Sequence, residues 1–237
     1  MKKRIIFAVL WALCLLLMLP AAVWAAPVRI ACVGNSITFG YGLRNPMQDS
    51  YPSVLQRMLG DGYDVRNYGV SARTMLRKGD RPYFREKAFR DALDFRPDIV
   101  IIKLGTNDSK PENWKYGAEF EQDMNDLIDS FLYYSPSAEV YLCRPVPVRA
   151  EKWGITEEVM SGEIYPIIHR IAGYRGLREI DLHNVLADKT ELLEDNIHPN
   201  AEGAKLMAEE VYRVLQTPPT KKEAKRLKKA RKAYAKR

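Results

Sequence analysis

Cysteine is scarce, with three in 237 residues. Cys14 falls in an N-terminal apolar stretch, which leaves Cys32 and Cys143, too few for a disulfide framework. Both sit in strand-like apolar runs, so buried free thiols are expected. Histidine is as rare, and no cysteine and histidine cluster has the spacing of a zinc site. Beyond the N-terminal stretch no apolar run is long enough to span a bilayer, and no internal repeat is visible. An excess of positive charge is also missing from most of the chain, despite a formal +7. Ten of the 37 basic residues lie in 221–237 against the single acid Glu223, and three more lie at Lys2, Lys3 and Arg4. The remainder holds 24 basic and 29 acidic residues. The basic character therefore belongs to the two ends, and no nucleic-acid partner is expected.

The first residues read as a secretory signal peptide: a basic start, an unbroken apolar run over 5–19, Pro20, then small residues around Ala25 and Ala26. Cleavage after Ala25 and an exported protein, periplasmic or extracellular, are expected. An uncleaved membrane anchor is the alternative reading. Residues 26–216 then form one domain, and Pro218-Pro219 opens a basic tail over 217–237. A solvated extension is the expectation for that tail. Leu227, Ala230 and Tyr234 at helical spacing would also allow a helix on an anionic envelope surface.

Within the domain, strand patterns alternate with helix patterns. Apolar runs at 28–33, 63–67, 98–104, 138–143 and 177–181 read as strands, and the branched run Ile99-Val100-Ile101-Ile102 reads as buried on both faces. Helices are expected over 51–59 with Ser50 as its cap, around 83–95, across Phe120 to Leu132, up to about Tyr174, and after Pro199. Residues 144–161, with Pro145 and Pro147, read as a loop. This order implies a three-layer α/β sandwich around a mainly parallel sheet.

Four expected strand-end loops carry donors or reactive groups: Ser36, Gly69, Asn107, and the pair Asp195 and His198. Taken singly each is ordinary, a cap, a turn or half a metal site with no third ligand. Together they supply what acyl transfer requires: a nucleophile, a base to take its proton, a group to orient the base, and donors for the developing oxyanion. Asp181-Leu182-His183 mimics the acid and base pair but has no nucleophile in register and reads as structural, and His169 lies mid-helix.

The four blocks Gly34-Asn35-Ser36-Ile37-Thr38, Asn67-Tyr68-Gly69, Gly105-Thr106-Asn107-Asp108 and Asp195-Asn196-Ile197-His198-Pro199 resemble, in this order, those of the SGNH hydrolases, the GDSL esterase and lipase family. The resemblance implies a flavodoxin-like sheet of five parallel strands in the order 2-1-3-4-5, with Ser36 as nucleophile and Asp195 and His198 completing a triad. It implies that Ser36, Gly69 and Asn107 form the oxyanion hole, and that neither cofactor nor metal is needed. One departure is Asn35, where the family usually has aspartate.

The first block and the Asp-Ser-Tyr-Pro stretch at 49–52 are most similar to carbohydrate esterases, including sialate O-acetylesterase-like proteins. That likeness implies a small ester or an acetylated carbohydrate as substrate. A lysophospholipase or thioesterase, or a non-catalytic glycan-binding homologue, are the competing readings. For the sugar-binding mouth the candidates are Tyr41 and Trp114, with Tyr51, Tyr116 and Trp153 also in or near loops. The basic residues Arg73, Arg77, Lys78 and Arg81 are candidates for an anionic sugar.

Overall fold

The structure, a computed structural model, describes residues 26–236. The leader expected at 1–25 lies outside the described residues. Five strands form one parallel sheet in the order β2-β1-β3-β4-β5: β1 Val28–Gly34, β2 Tyr63–Gly69, β3 Ile99–Lys103, β4 Glu139–Arg144 and β5 Arg178–Asp181. The central strands are the most apolar and the most deeply buried, as a sheet covered on both faces requires. Helices Tyr51–Leu59 and Ala201–Gln216 pack together on one face. Helices Lys87–Asp94, Phe120–Tyr134 and Tyr165–Arg175 line the other. The fold is the expected three-layer sandwich. Cys32 on β1 and Cys143 on β4 are buried free thiols with β3 between them.

The strand order reverses direction between β1 and β3, which opens a crevice at their C-terminal ends. Register fixes what meets there, since Gly34 at the end of β1 lies opposite Gly69 on one side and Lys103 on the other. A Cβ on Gly34 would come within 2.0 Å of Thr38 Oγ1, so only glycine permits the tight turn into the next helix.

Three local expectations change. The helix expected around 83–95 is a 3₁₀ turn, Tyr83–Arg85, followed by helix Lys87–Asp94. Glu86 between them is extended (φ −79°, ψ 147°), and its carboxylate receives the Arg73 guanidinium at 2.8 Å. The loop expected through Ser161 ends earlier, because Thr156 caps helix Glu157–Val159, which runs through a π turn into Tyr165–Arg175. Ser50 does occupy the N-cap of Tyr51–Leu59, but its hydroxyl faces Ser53 Oγ at 3.0 Å rather than a backbone N–H.

The largest correction is at the C-terminus. The tail is not a solvated extension: Lys221–Tyr234 is a helix, capped by Thr220, and it packs on helix Tyr165–Arg175. Leu227 is buried in that contact, and Tyr234 stacks on Tyr174. Among the described residues no helix is long and apolar enough to cross a membrane.

Candidate active site

Ser36 is the first residue of a one-turn helix, Ser36–Phe39, that begins immediately after β1. Asn35 caps it, its Oδ1 accepting the Ile37 N–H at 3.2 Å, and the Ser36 side chain thereby projects into the crevice. The opposite wall is the loop before helix Ala201–Gln216. There Asp195 folds the chain onto itself, Oδ1 accepting the N–H groups of Ile197 (3.1 Å) and His198 (2.8 Å). Asn196, at φ 76°, takes the left-handed turn this requires. Asp195 Oδ2 then lies 2.8 Å from His198 Nδ1, and His198 Nε2 lies 2.8 Å from Ser36 Oγ. Orienting acid, base and hydroxyl form one chain of short contacts.

The environment sets the protonation states. His198 is 7% exposed, with the Tyr41 ring 4.7 Å away and the Trp153 ring at 6.1 Å. Burial lowers its pKa below the ordinary histidine value of 6.5, although Asp195 pulls the other way. Burial alone would raise Asp195, but the His198 backbone and ring and the Ile197 N–H hold it at about 2. A base must be neutral to accept a proton, so turnover should rise with pH to a plateau. With His198 lowered, the midpoint of kcat/KM should fall below pH 6.5. A midpoint above 7 would mean that another group controls the profile.

The oxyanion donors differ in part from expectation. Asn107, 5% exposed, lines the cavity beside Ser36, with Nδ2 donating to the Arg73 carbonyl at 3.1 Å. The Ser36 N–H, at the start of its helix, also faces this end of the sheet. Gly69 is a correction. It ends β2 outside the cavity lining, and its N–H is taken by Asn67 Oδ1 at 2.9 Å. It is glycine because a Cβ there would sit 2.3 Å from Phe39 N, so its role is close packing under the Ser36 helix. From this loop Ser71 and Ala72 reach the cavity, and Ala72, three positions on from Gly69, is held at φ 66°. No hydrogen-bond acceptor meets the Ala72 N–H among the described residues. A non-glycine residue in a left-handed conformation is costly, and here it falls on a cavity-lining residue whose backbone N–H no acceptor among the described residues takes.

The support for this loop also went unread in the sequence. Asp108 is fully buried and accepts the N–H groups of Met75 (2.9 Å) and Leu76 (2.7 Å), pinning the Ala72 loop to the Asn107 turn. Burial raises its pKa to about 7, while those same N–H groups act against the rise. Asn113 donates to the Asn107 carbonyl at 2.9 Å and holds Asp80 by its backbone and side chain.

Of the proposed mouth residues, Tyr41 and Arg81 line the cavity, as do Trp153 and Lys110. Arg73 does not, being tied to Glu86 and to the Ser71 carbonyl. Trp114 does not either: its Nε1 donates to Glu163 and its ring packs edge-on against Phe120. Arg77 pairs with Asp123 and Asp126, and Lys78 with Glu119. Tyr51 is fully buried in the core and Tyr116 packs against it. His183 pairs with Glu157 at 2.8 Å rather than with Asp181, and His169 meets Glu179 at 2.7 Å, so both lie outside this site.

Residues 32–206 match the GDSL-like lipase/acylhydrolase family. Over 200 residues the chain is 47% identical to a protein named acetylxylan esterase from Xylanibacter ruminicola. That match covers 77% of this chain and 42% of the relative, so the chain spans less than half of that protein's length. Est24, a carbohydrate acetylesterase from Sinorhizobium meliloti, superposes with a TM-score of 0.67 at 22% identity, over 79% of this chain and 97% of that one. The native aryl esterase of M. smegmatis gives 0.65 at 21% identity, over 79% and 98%. At such identities these two likenesses are ones of fold.

Proposed function

The chain belongs to the GDSL-like lipase/acylhydrolase family, and from that premise we propose that it is a serine esterase that removes acetyl groups from carbohydrate hydroxyls. The observation that carries this is the Asp195–His198–Ser36 chain of 2.8 Å contacts opening into a cavity of about 290 Å³. That volume suits an acetyl group and part of a sugar ring better than a long acyl chain. Exposed aromatic faces at Tyr41 and Trp153 flank it, as stacking on a sugar requires. The acetylxylan esterase relative supports the same substrate class.

In this reaction His198 Nε2 takes the Ser36 proton as Oγ attacks the acetyl carbonyl. The oxyanion accepts hydrogen bonds from the Ser36 and Ala72 N–H groups and the Asn107 amide. The tetrahedral intermediate expels the sugar oxygen, which leaves as a hydroxyl with the proton from His198. A water, deprotonated by the same imidazole, then releases acetate and restores Ser36. Asp195 stays ionised throughout and stabilises the transient imidazolium.

Among acetylated sugars the reading favours one that carries a carboxylate, such as a sialic or uronic acid. Arg81 and Lys110 reach the cavity without an ion-pair partner among the described residues, whereas Arg73, Arg77 and Lys78 are all paired. The N-terminal sequence supports export with removal of residues 1–25.

Acetate release measured on O-acetylated sialic acid, acetylated xylo-oligosaccharides and a long-chain ester tests the proposal. Release from a sugar that requires Ser36 is expected; turnover confined to the long-chain ester would move the protein to lipid substrates. Arg81→Ala should lower the acidic-to-neutral ratio of kcat/KM by about tenfold, the scale of one lost charge-assisted hydrogen bond. An unchanged ratio would remove the acidic sugar from the reading.

A further inference from the structure

Lys103 ends β3 at the centre of the sheet, opposite Gly34, and is 0% exposed. Among the described residues it has no carboxylate within ion-pair distance. A lysine held in such a place is costly, and the catalytic scheme above makes no use of it. Its Nζ lies 3.2 Å from Asn35 Oδ1 and 3.2 Å from Thr106 Oγ1. Asn35 precedes the nucleophile and Thr106 precedes Asn107, so one amine ties together the two turns that must stay in register.

We propose that Lys103 is a positioning residue, which acts through Asn35 and Thr106 to hold Ser36 and the Asn107 amide at a fixed separation. The inference rests on the reading of Ser36 as a nucleophile. Asn35 has few alternatives to this role, because its Nδ2 has no hydrogen-bond partner and its Oδ1 meets only the Ile37 N–H and Lys103. The amide orientation is therefore set by those two donors. The departure from aspartate at 35 fits the same arrangement. A neutral amide leaves the amine free of an ion pair, and burial brings the Lys103 pKa down to about 7. The titratable groups facing it are the Cys143 thiol on β4 and His198, whose own basicity Lys103 helps to depress.

The test is Lys103→Met, which keeps chain length and apolar packing but removes the amine. A displacement near 1 Å at a reacting centre costs on the order of 10²-fold in rate. Lys103→Met should accordingly lower kcat by about 10- to 100-fold with KM within about twofold, while thermal stability holds or rises as a buried amine disappears. Asn35→Ala should give a loss of similar size, and the double variant should lose no more than the worse single one. Multiplying losses would mean that Lys103 does not act through Asn35. A residue that only supports the fold would lower the melting temperature and leave kcat per folded molecule unchanged. If Lys103→Met does not fold, Thr106→Val tests the other contact by the same split between kcat and KM.

Labelling of Ser36 by a fluorophosphonate gives a second rate that needs no knowledge of the substrate. Wild type without serine-dependent acetate release or labelling would overturn the esterase reading. Active wild type, with Lys103→Met and Thr106→Val equally fast, would overturn this inference alone.

Discussion

Ser36→Ala is expected to lower kcat/KM on an acetyl ester by about 10⁴-fold or more while leaving the fold intact. The hydroxyl lies 2.8 Å from the base and in the same cavity as Ala72 and Asn107. Its removal leaves the Ala72 and Ser36 N–H groups and Asn107 in place, so some catalysis over water survives, but no acyl-enzyme can form. The cost to stability is small, about 1 kcal/mol for one lost hydrogen bond, because His198 stays anchored by Asp195. His198→Ala should fall almost as far, and the double variant barely further, since the two act as one unit. Kinetics and a thermal melt on each protein check this. A Ser36→Ala enzyme retaining a tenth of its activity would require a different nucleophile and would end the assignment.

Much of this site could be read in the sequence because it is written in side chains. Ser36, Asn107, Asp195 and His198 are residue types that acyl transfer demands, each at an expected strand-end loop, and strand alternation gave the sheet that gathers them. Ala72 was unreadable for the opposite reason. It contributes a backbone N–H, and its left-handed φ of 66° comes from the loop path fixed by Asp108, which nothing in the residue name signals. Gly69 differs for another reason: the resemblance implies an oxyanion donor there, yet its N–H is taken by Asn67 Oδ1 and the space beside it is filled by the Phe39 backbone. Basic residues were equally opaque, since whether Arg73 or Arg81 is free depends on which carboxylate the tertiary fold sets beside it. The C-terminal helix failed through composition. Ten basic residues imply solvation, but burial needs only one face, and Leu227 and Tyr234 supply it.

That helix carries the other large expected effect. Truncation after Thr217 should destabilise the protein by about 3–4 kcal/mol, a fall in Tm of roughly 10 °C for a domain of this size. Gly176 ends helix Tyr165–Arg175 at φ 67°, and a Cβ there would sit 2.4 Å from the Leu227 carbonyl, so the two helices are in backbone contact. The Arg231 guanidinium donates to the Gly176 carbonyl at 2.9 Å. The Arg175 guanidinium, buried between the elements, donates to Asn125 and to the Tyr234 hydroxyl, each at 2.9 Å. It also pairs with Asp129 and lies 4.3 Å over the Tyr234 ring. Removing the helix takes away that ring and that acceptor and exposes the surface under Leu227. Leu227→Ala alone should account for about 2–3 kcal/mol, whereas glutamine at the outward Lys225 and Lys229 should change stability by less than about 0.5 kcal/mol. Activity at 25 °C should survive, because the helix packs beside Glu139 and Arg178 at the starts of β4 and β5, the end of the sheet opposite Ser36. Melting curves of the full chain, the truncation and Leu227→Ala separate these outcomes. An unchanged Tm on truncation would return the tail to a solvated extension, while lost turnover in a folded truncated protein would mean that the two ends of the sheet are coupled.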